Sequence, residues 1–137
     1  MTSQLNVDTI KGKTAETSIT IQGEGSATTN LQQGVTKVWF NFSPNLSNTY
    51  RDSFNISGVT DNGTGDFTHT FSNNMGNDDF AFTTGSNGNS IEGVNSYAMY
   101  YDPDTVASSS VTSRHISSGS TALDVRYIMG MVAGDLA

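Results

Sequence analysis

Two histidines, His69 and His115, and no cysteine are available to this chain, which narrows the nucleophilic and metal-ligating chemistry it can support. His69 lies in Asp66-Phe-Thr-His-Thr-Phe71, on the aromatic side of an alternating run, where a hydrogen-bonded sheet residue is expected. His115 follows Arg114 close to a loop. With the run Ser108-Ser-Ser110 these histidines supply the atoms of a catalytic triad, but no nucleophile-elbow motif frames any serine. The acidic stretch Asp61-Asn-Gly-Thr-Gly-Asp66 resembles a calcium loop only superficially. It lacks carboxylates at alternate positions and the closing Glu, so a hairpin turn accounts for it better. Asp78-Asp79 and Asp102-Pro-Asp104 could in principle act as paired acids in glycoside hydrolysis. Both adjoin turn residues, and solvated loop acids are the simpler expectation. The glycine-rich segments do not follow a strand and open a helix, so phosphate cradling is not supported. No catalytic, metal or cofactor site is expected.

The elements that must carry these residues are strands. The chain has 137 residues, long enough for one domain with a core, and only 34% of them are apolar. Gly, Ser, Thr and Asn dominate, and the aromatic residues recur at strand spacing. An all-β fold with a thin core per copy follows, and a thin core makes association of copies a natural source of further burial. The net charge is −7, with six scattered Lys and Arg, so no nucleic-acid footprint is present. The first eight residues have neither a basic nor an apolar segment of a secretory leader, and no apolar run is long enough to cross a membrane as a helix. Synthesis in a cytoplasm and no membrane insertion are expected.

Taken in order, residues 5–10 and 18–21 read as weak strands, and residues 23–30 as a small, polar linker. A domain boundary is expected near 32, with an arm over 1–32 and a β-domain over 33–137. Candidate strands in that domain cover residues 35–42, 50–59, 66–71, 80–84, 94–101, 111–116 and 123–132. Asn62-Gly63 marks a hairpin between the second and third, because both residues tolerate the positive φ of a primed turn. Strands at this spacing predict an antiparallel β-sandwich, with a jelly-roll-like arrangement or partly open barrel as the competitor. The inward faces are expected to hold Val38 or Trp39, Phe54, Ile56, Phe67, Phe71, Phe80, Phe82, Tyr97, Met99, Leu123, Val125 and Tyr127.

Residues 31–42, Leu-Gln-Gln-Gly-Val-Thr-Lys-Val-Trp-Phe-Asn-Phe, and 51–68, Arg-Asp-Ser-Phe-Asn-Ile-Ser-Gly-Val-Thr-Asp-Asn-Gly-Thr-Gly-Asp-Phe-Thr, carry a resemblance. They are similar to the distal domain of tail-fibre-like virion proteins of marine bacteriophages, as is the closing Gly134-Asp135. Residues 80–120 do not match that pattern in detail. The resemblance implies a non-enzymatic virion structural protein, a homotrimer, fixed to the particle by its N-terminal arm and free to touch a host surface glycan or protein through its loops.

Candidate residues for these roles follow from that frame. Trp39, Phe40 and Phe42, apolar on both faces of one strand, are expected at the interface between copies, with Met129 and Met131 either joining them or filling the core. Leu5, Val7, Ile10, Ile19 and Ile21 are the candidate anchor. Asn87, Asn89, Tyr100 and Tyr101 are the candidate outward contacts. A capsid decoration or cement protein is the second placement on a virion, since no shaft separates arm from head. From a different class, a soluble carbohydrate-binding sandwich would stack sugars on Tyr100 and Tyr101. A polysaccharide-cleaving enzyme using Asp102 or Asp104 is the third.

Overall fold

A computed structural model describes residues 6–13, 19–22, 26, 28–31, 34–87, 98–101, 106–116 and 121–137. Among them there is no helix. The chain separates into two compact units, Met1–Val35 and Thr36–Ala137.

In the first unit, β1 (Thr20–Gln22) pairs antiparallel with β2 (Thr28–Asn30), and the Leu31 amide donates to the Ile19 carbonyl. Two expectations change here. The stretch taken as linker contributes a strand, and residues 6–10 are not in one. A two-stranded sheet of this length is marginal by itself.

The second unit is an antiparallel β-sandwich. Its strands are β3 (Val38–Ser43), β4 (Thr49–Phe54), β5 (Ile56–Gly63), β6 (Asp66–Phe71), β7 (Ala81–Asn87), β8 (Ala98–Tyr101), β9 (Ser110–Ile116) and β10 (Tyr127–Ala133). One sheet has the order β4-β3-β10-β7 and the other β5-β6-β9-β8. Successive strands pair within a sheet at β3–β4, β5–β6 and β8–β9. A jelly roll instead alternates long crossovers between sheets, so the order favours a sandwich.

The run expected as one strand over 50–59 is two strands in different sheets. The break is Asn55, at φ 60°, a left-handed conformation that Asn tolerates because its short side chain bonds locally. Its carbonyl accepts the Ser72 amide, its Oδ1 accepts the Asn73 amide at 2.7 Å, and its Nδ2 donates to the Asn73 carbonyl. The corner is thereby locked. The predicted hairpin between β5 and β6 is present, with its turn at Thr64-Gly65 rather than Asn62-Gly63. Asn62 instead donates to Asp66 and Thr68 across the hairpin. Gly65, at φ 71°, lies so close to the His115 and Leu123 backbone that a Cβ has no room.

A bulge sets which side chains face inward. Asn41 pairs with Asp52 and Phe42 with Tyr50, leaving Arg51 as the extra residue of β4. Tyr50 therefore turns in beside Phe42, while Phe54 turns out beside Trp39. This corrects the expectation that Phe54 is core. Phe40 and Phe42, expected at an interface, are buried in the sandwich of their own copy with Val38, Ile128 and Val132. On β10 the alternation puts Ile128, Gly130 and Val132 inward, where Gly130 leaves the space that the Phe40 ring fills. Opposite them stand Phe67 and Phe71 of β6 and Val111 of β9. Tyr97 and the Met99 side chain lie outside the described residues.

Strand β7 runs on past the expected 80–84 through Gly85-Ser-Asn87, because Tyr127, Ile128 and Met129 offer it backbone partners. Conversely, residues 123–126 precede β10 rather than belong to it, although Val125 is fully buried. The chain end pairs back: Met75 bridges Leu136, and the Gly76 amide donates to the Asp135 carbonyl.

Candidate functional site

Both histidines are buried in the sandwich, and the His69 ring meets hydrogen-bond partners there. His69 on β6 lies next to β9, and its Nε2 is 3.0 Å from Ser113 Oγ; its Nδ1 is 2.6 Å from the Tyr50 hydroxyl. With the ring proton on Nε2, Tyr50 donates to Nδ1 and His69 donates to Ser113, so both nitrogens are satisfied. Phe40 stacks on the imidazole with centroids 4.1 Å apart, and Phe42 meets it edge-on. A Ser–His pair at this distance is how hydrolases activate a nucleophile. Here His69 and Ser113 are both wholly buried, so the serine has no path to a substrate. Burial, and secondarily the neighbouring His115, hold the His69 pKa down at about 3. Burial likewise raises that of the Tyr50 phenol. Tyr50, His69 and Ser113 form a neutral polar brace, with Tyr50 reaching from the opposite sheet to the His69–Ser113 pair; the sequence predicted a hydrogen-bonded sheet residue at His69. Nothing in the local sequence marks Tyr50 as a partner of His69, and for Ser113 the signal is the alternation Val111-Thr-Ser-Arg-His115, which sets a small polar residue between two core positions.

His115, at the end of the same inward row, is also buried, and neither ring nitrogen has a hydrogen-bond partner among the described residues. Burial lowers its pKa to about 4, with the Asp124 carboxylate pulling the other way. Around it the β5–β6 turn is tied down: Asp124 accepts the Gly65 amide at 2.7 Å, and the His115 amide donates to the Gly65 carbonyl. Arg114 pairs with Asp66 at 3.0 Å. A recess of about 200 Å³ lies here, bounded by Thr64, Asp66, Arg114, Ile116 and Ala122. The carboxylates of the acidic loop are engaged within their hairpin and with its neighbours. Asp61 accepts from the Gly63 amide and from Asn48, and Asp66 from Asn62. Asp78 and Asp79 are exposed, and 102–105 lie outside the described residues.

The outer face of the β4-β3-β10-β7 sheet is the prominent surface feature. Phe54, Trp39, Met131 and Thr83 stand in one row across four strands, paired Phe54 with Trp39, Trp39 with Met131, and Met131 with Thr83. Met129 follows one pair along, opposite Asn41 and Gly85. Phe54 is 53% exposed, Trp39 39%, Met131 47% and Met129 41%. Because Gly85 carries no side chain, a shallow depression of about 290 Å³ opens between Met129, Met131 and Thr83. Large uncharged side chains contiguous on a sheet face form the kind of patch that marks a contact surface. Asp52, paired with Asn41, puts an acid on this face, and the Arg51 guanidinium lies over the Tyr127 ring.

Of the residues expected at an interface, Trp39, Met129 and Met131 come together on this surface. Phe40 and Phe42 do not, because alternation along β3 sends them to the opposite face. Phe54 belongs to it and escaped prediction, since only the bulge at Arg51 places it outside. Among the anchor residues Val7, Ile10 and Ile21 are exposed and Ile19 is half-buried, while Leu5 lies outside the described residues. Among the outward contacts, Asn87 ends β7, paired with Tyr127 and accepting the Arg126 amide, and so is a strand residue rather than a loop tip. Tyr100 and Tyr101 lie on β8 opposite Arg114 and Ser113, with their side chains outside the described residues, as is all of Asn89. Compared with protein-family models, characterised proteins and solved structures, the chain matches none.

Proposed function

We propose that this protein is a non-enzymatic structural component of a bacteriophage virion, a short tail-fibre-like protein that works through surfaces rather than a reactive centre. Its second unit would associate with further copies through the outer face of the β4-β3-β10-β7 sheet, as a homotrimer if the resemblance to tail-fibre-like proteins extends to assembly. Its first unit, through Val7, Ile10, Ile19 and Ile21, would fix it to other virion proteins, and its loops would meet a host surface glycan or protein. The observation that carries this reading is the row Phe54, Trp39, Met131 with Met129 beside it, an apolar patch left uncovered in one copy. The sealing of the Ser113–His69 pair supports a non-catalytic role for the one hydrolase-like pair among the described residues. The resemblance of residues 31–42 and 51–68 to tail-fibre-like proteins supplies the virion. Recovery of the protein from purified particles at a copy number matching their symmetry tests the placement, and antibody labelling of those particles separates a tail position from a capsid decoration.

A second reading rests on the same surface. Trp39 and Phe54 are adjacent rings on a flat face, an arrangement able to stack on a sugar. Glycan-array binding by the wild type, lost in Trp39→Ala, would favour a carbohydrate-binding sandwich.

A further inference from the structure

The outer face of the β4-β3-β10-β7 sheet carries two thioethers side by side. Met129 and Met131 are two residues apart on β10, so their side chains leave one face about 7 Å apart. Met131 stands between Trp39 and Thr83, and Met129 between Asn41 and Gly85. Gly85 brings no side chain against Met129, and the depression of about 290 Å³ beside it is bounded by both methionines. Each is exposed over more than two-fifths of its surface. We infer that Met129 and Met131 form a modification site, at which a hydroperoxide converts both thioethers to sulfoxides and turns the apolar face polar. The effect on assembly rests on the reading that copies associate through this face; the site itself does not.

Three observations select this chemistry. The chain has no cysteine, so no thiol competes for the oxidant and the thioethers are its most readily oxidised side chains. Access is open: the depression is several times the roughly 30 Å³ that one water occupies in the liquid, and a peroxide molecule is little larger. The chain also holds its own contrast, since Met75, 1% exposed, is shut inside the core cluster. With hydrogen peroxide, a sulfur lone pair attacks one peroxide oxygen and the O–O bond breaks as the S–O bond forms. The departing hydroxide takes the proton of the transferred oxygen and leaves as water. The sulfur is oxidised by two electrons and the peroxide reduced by two. The sulfoxide oxygen is a strong hydrogen-bond acceptor. In a free copy water solvates it, so the sandwich, whose core these side chains do not enter, is undisturbed. Beneath a second copy that water would be lost, which disfavours the contact. Thiol-dependent methionine sulfoxide reduction restores the thioether, so the change is reversible.

The test exposes the full chain, in dilute solution at neutral pH, to hydrogen peroxide and follows each methionine by peptide mapping. Met129 and Met131 should gain oxygen at least about tenfold faster than Met75, with native circular dichroism retained and a red shift in the emission of Trp39, the one tryptophan. By sedimentation equilibrium at micromolar concentration the untreated oligomer should give way to single chains, with association weakened about tenfold or more for each sulfoxide. Methionine sulfoxide reductase should restore the original mass. Met129→Leu/Met131→Leu keeps size and hydrophobicity, so it should associate before treatment and stay associated after it. Oxidation of Met75 as fast as the surface pair would overturn the site, and an oxidised wild type that keeps its mass would overturn the switch. A wild type that is monomeric before treatment would remove the association reading alone; selective oxidation with the Trp39 shift, absent in the double variant, would then still decide the site.

Discussion

His69 of β6 and Ser113 of β9 face each other across paired strands, 3.0 Å apart and shut off from solvent, with Tyr50 of the opposite sheet closing the chain of bonds at 2.6 Å. A buried polar brace of this kind is stabilising only while every member is satisfied. Tyr50→Phe leaves His69 Nδ1 without its partner and removes little volume. It should cost about 1–3 kcal/mol, read as a fall in the urea midpoint with an unchanged slope.

Acid should unfold the protein through its histidines. His69 is held to about 3 and His115 to about 4, against 6.5 in the unfolded chain. The unfolded state therefore binds more protons between those values, and stability falls as pH falls. The contribution is fully present above pH 6.5 and is lost progressively toward the folded values, at about 1.4 kcal/mol per tenfold difference in proton affinity. Thermal melts from pH 7.5 to 4 should show a steep decline below 6.5. In His115→Leu the decline should be shallower, and stability at pH 7 equal or higher, because that ring has no partner to lose among the described residues. A pH-independent melting temperature would contradict both assignments.

Gly130 is required by Phe40. A methyl group there would collide with the Phe40 ring edge, itself fixed against His69. Gly130→Ala should therefore destabilise by about 1–3 kcal/mol despite its higher strand propensity, whereas Gly58→Ala, where nothing lies within 4 Å, should be nearly silent. Chemical denaturation of the two variants checks the contrast.

Asn55 turns the chain from one sheet to the other. Asn55→Ala loses its bonds to Asn73 and places a Cβ residue at φ 60°, so a loss of about 1–3 kcal/mol is expected. Asn55→Gly keeps the conformation and should lose less. Equal losses would mean that the bonds, not the backbone, hold the corner.

The alternation that made the strands legible did not fix which face they bury. Phe67, His69 and Phe71 were assigned correctly because polar residues separate them. The runs Val38-Trp-Phe-Asn-Phe42 and Tyr127-Ile-Met-Gly-Met-Val132 are apolar in both registers, and only pairing decides that Trp39, Met129 and Met131 look outward. Phe54 was misplaced by one inserted residue, Arg51, whose guanidinium stacks on Tyr127 and which leaves no local signature. Asn55 read as mid-strand because a single left-handed residue interrupts the pattern without changing its period. The Tyr50–His69–Ser113 brace joins residues far apart in sequence, so only its histidine could be anticipated. The outer patch was half visible for the same reason: its Trp and Met members were legible as surplus apolar residues, its Phe was not.

The central claim is that the outer sheet face of one copy is covered by another copy. Sedimentation equilibrium of the full chain at micromolar concentration tests it most directly. A species of several times 14.6 kDa, reduced to a single folded chain by Trp39→Ser/Met131→Ser, is the predicted result. A wild type that sediments as one 14.6 kDa particle across that range would contradict it.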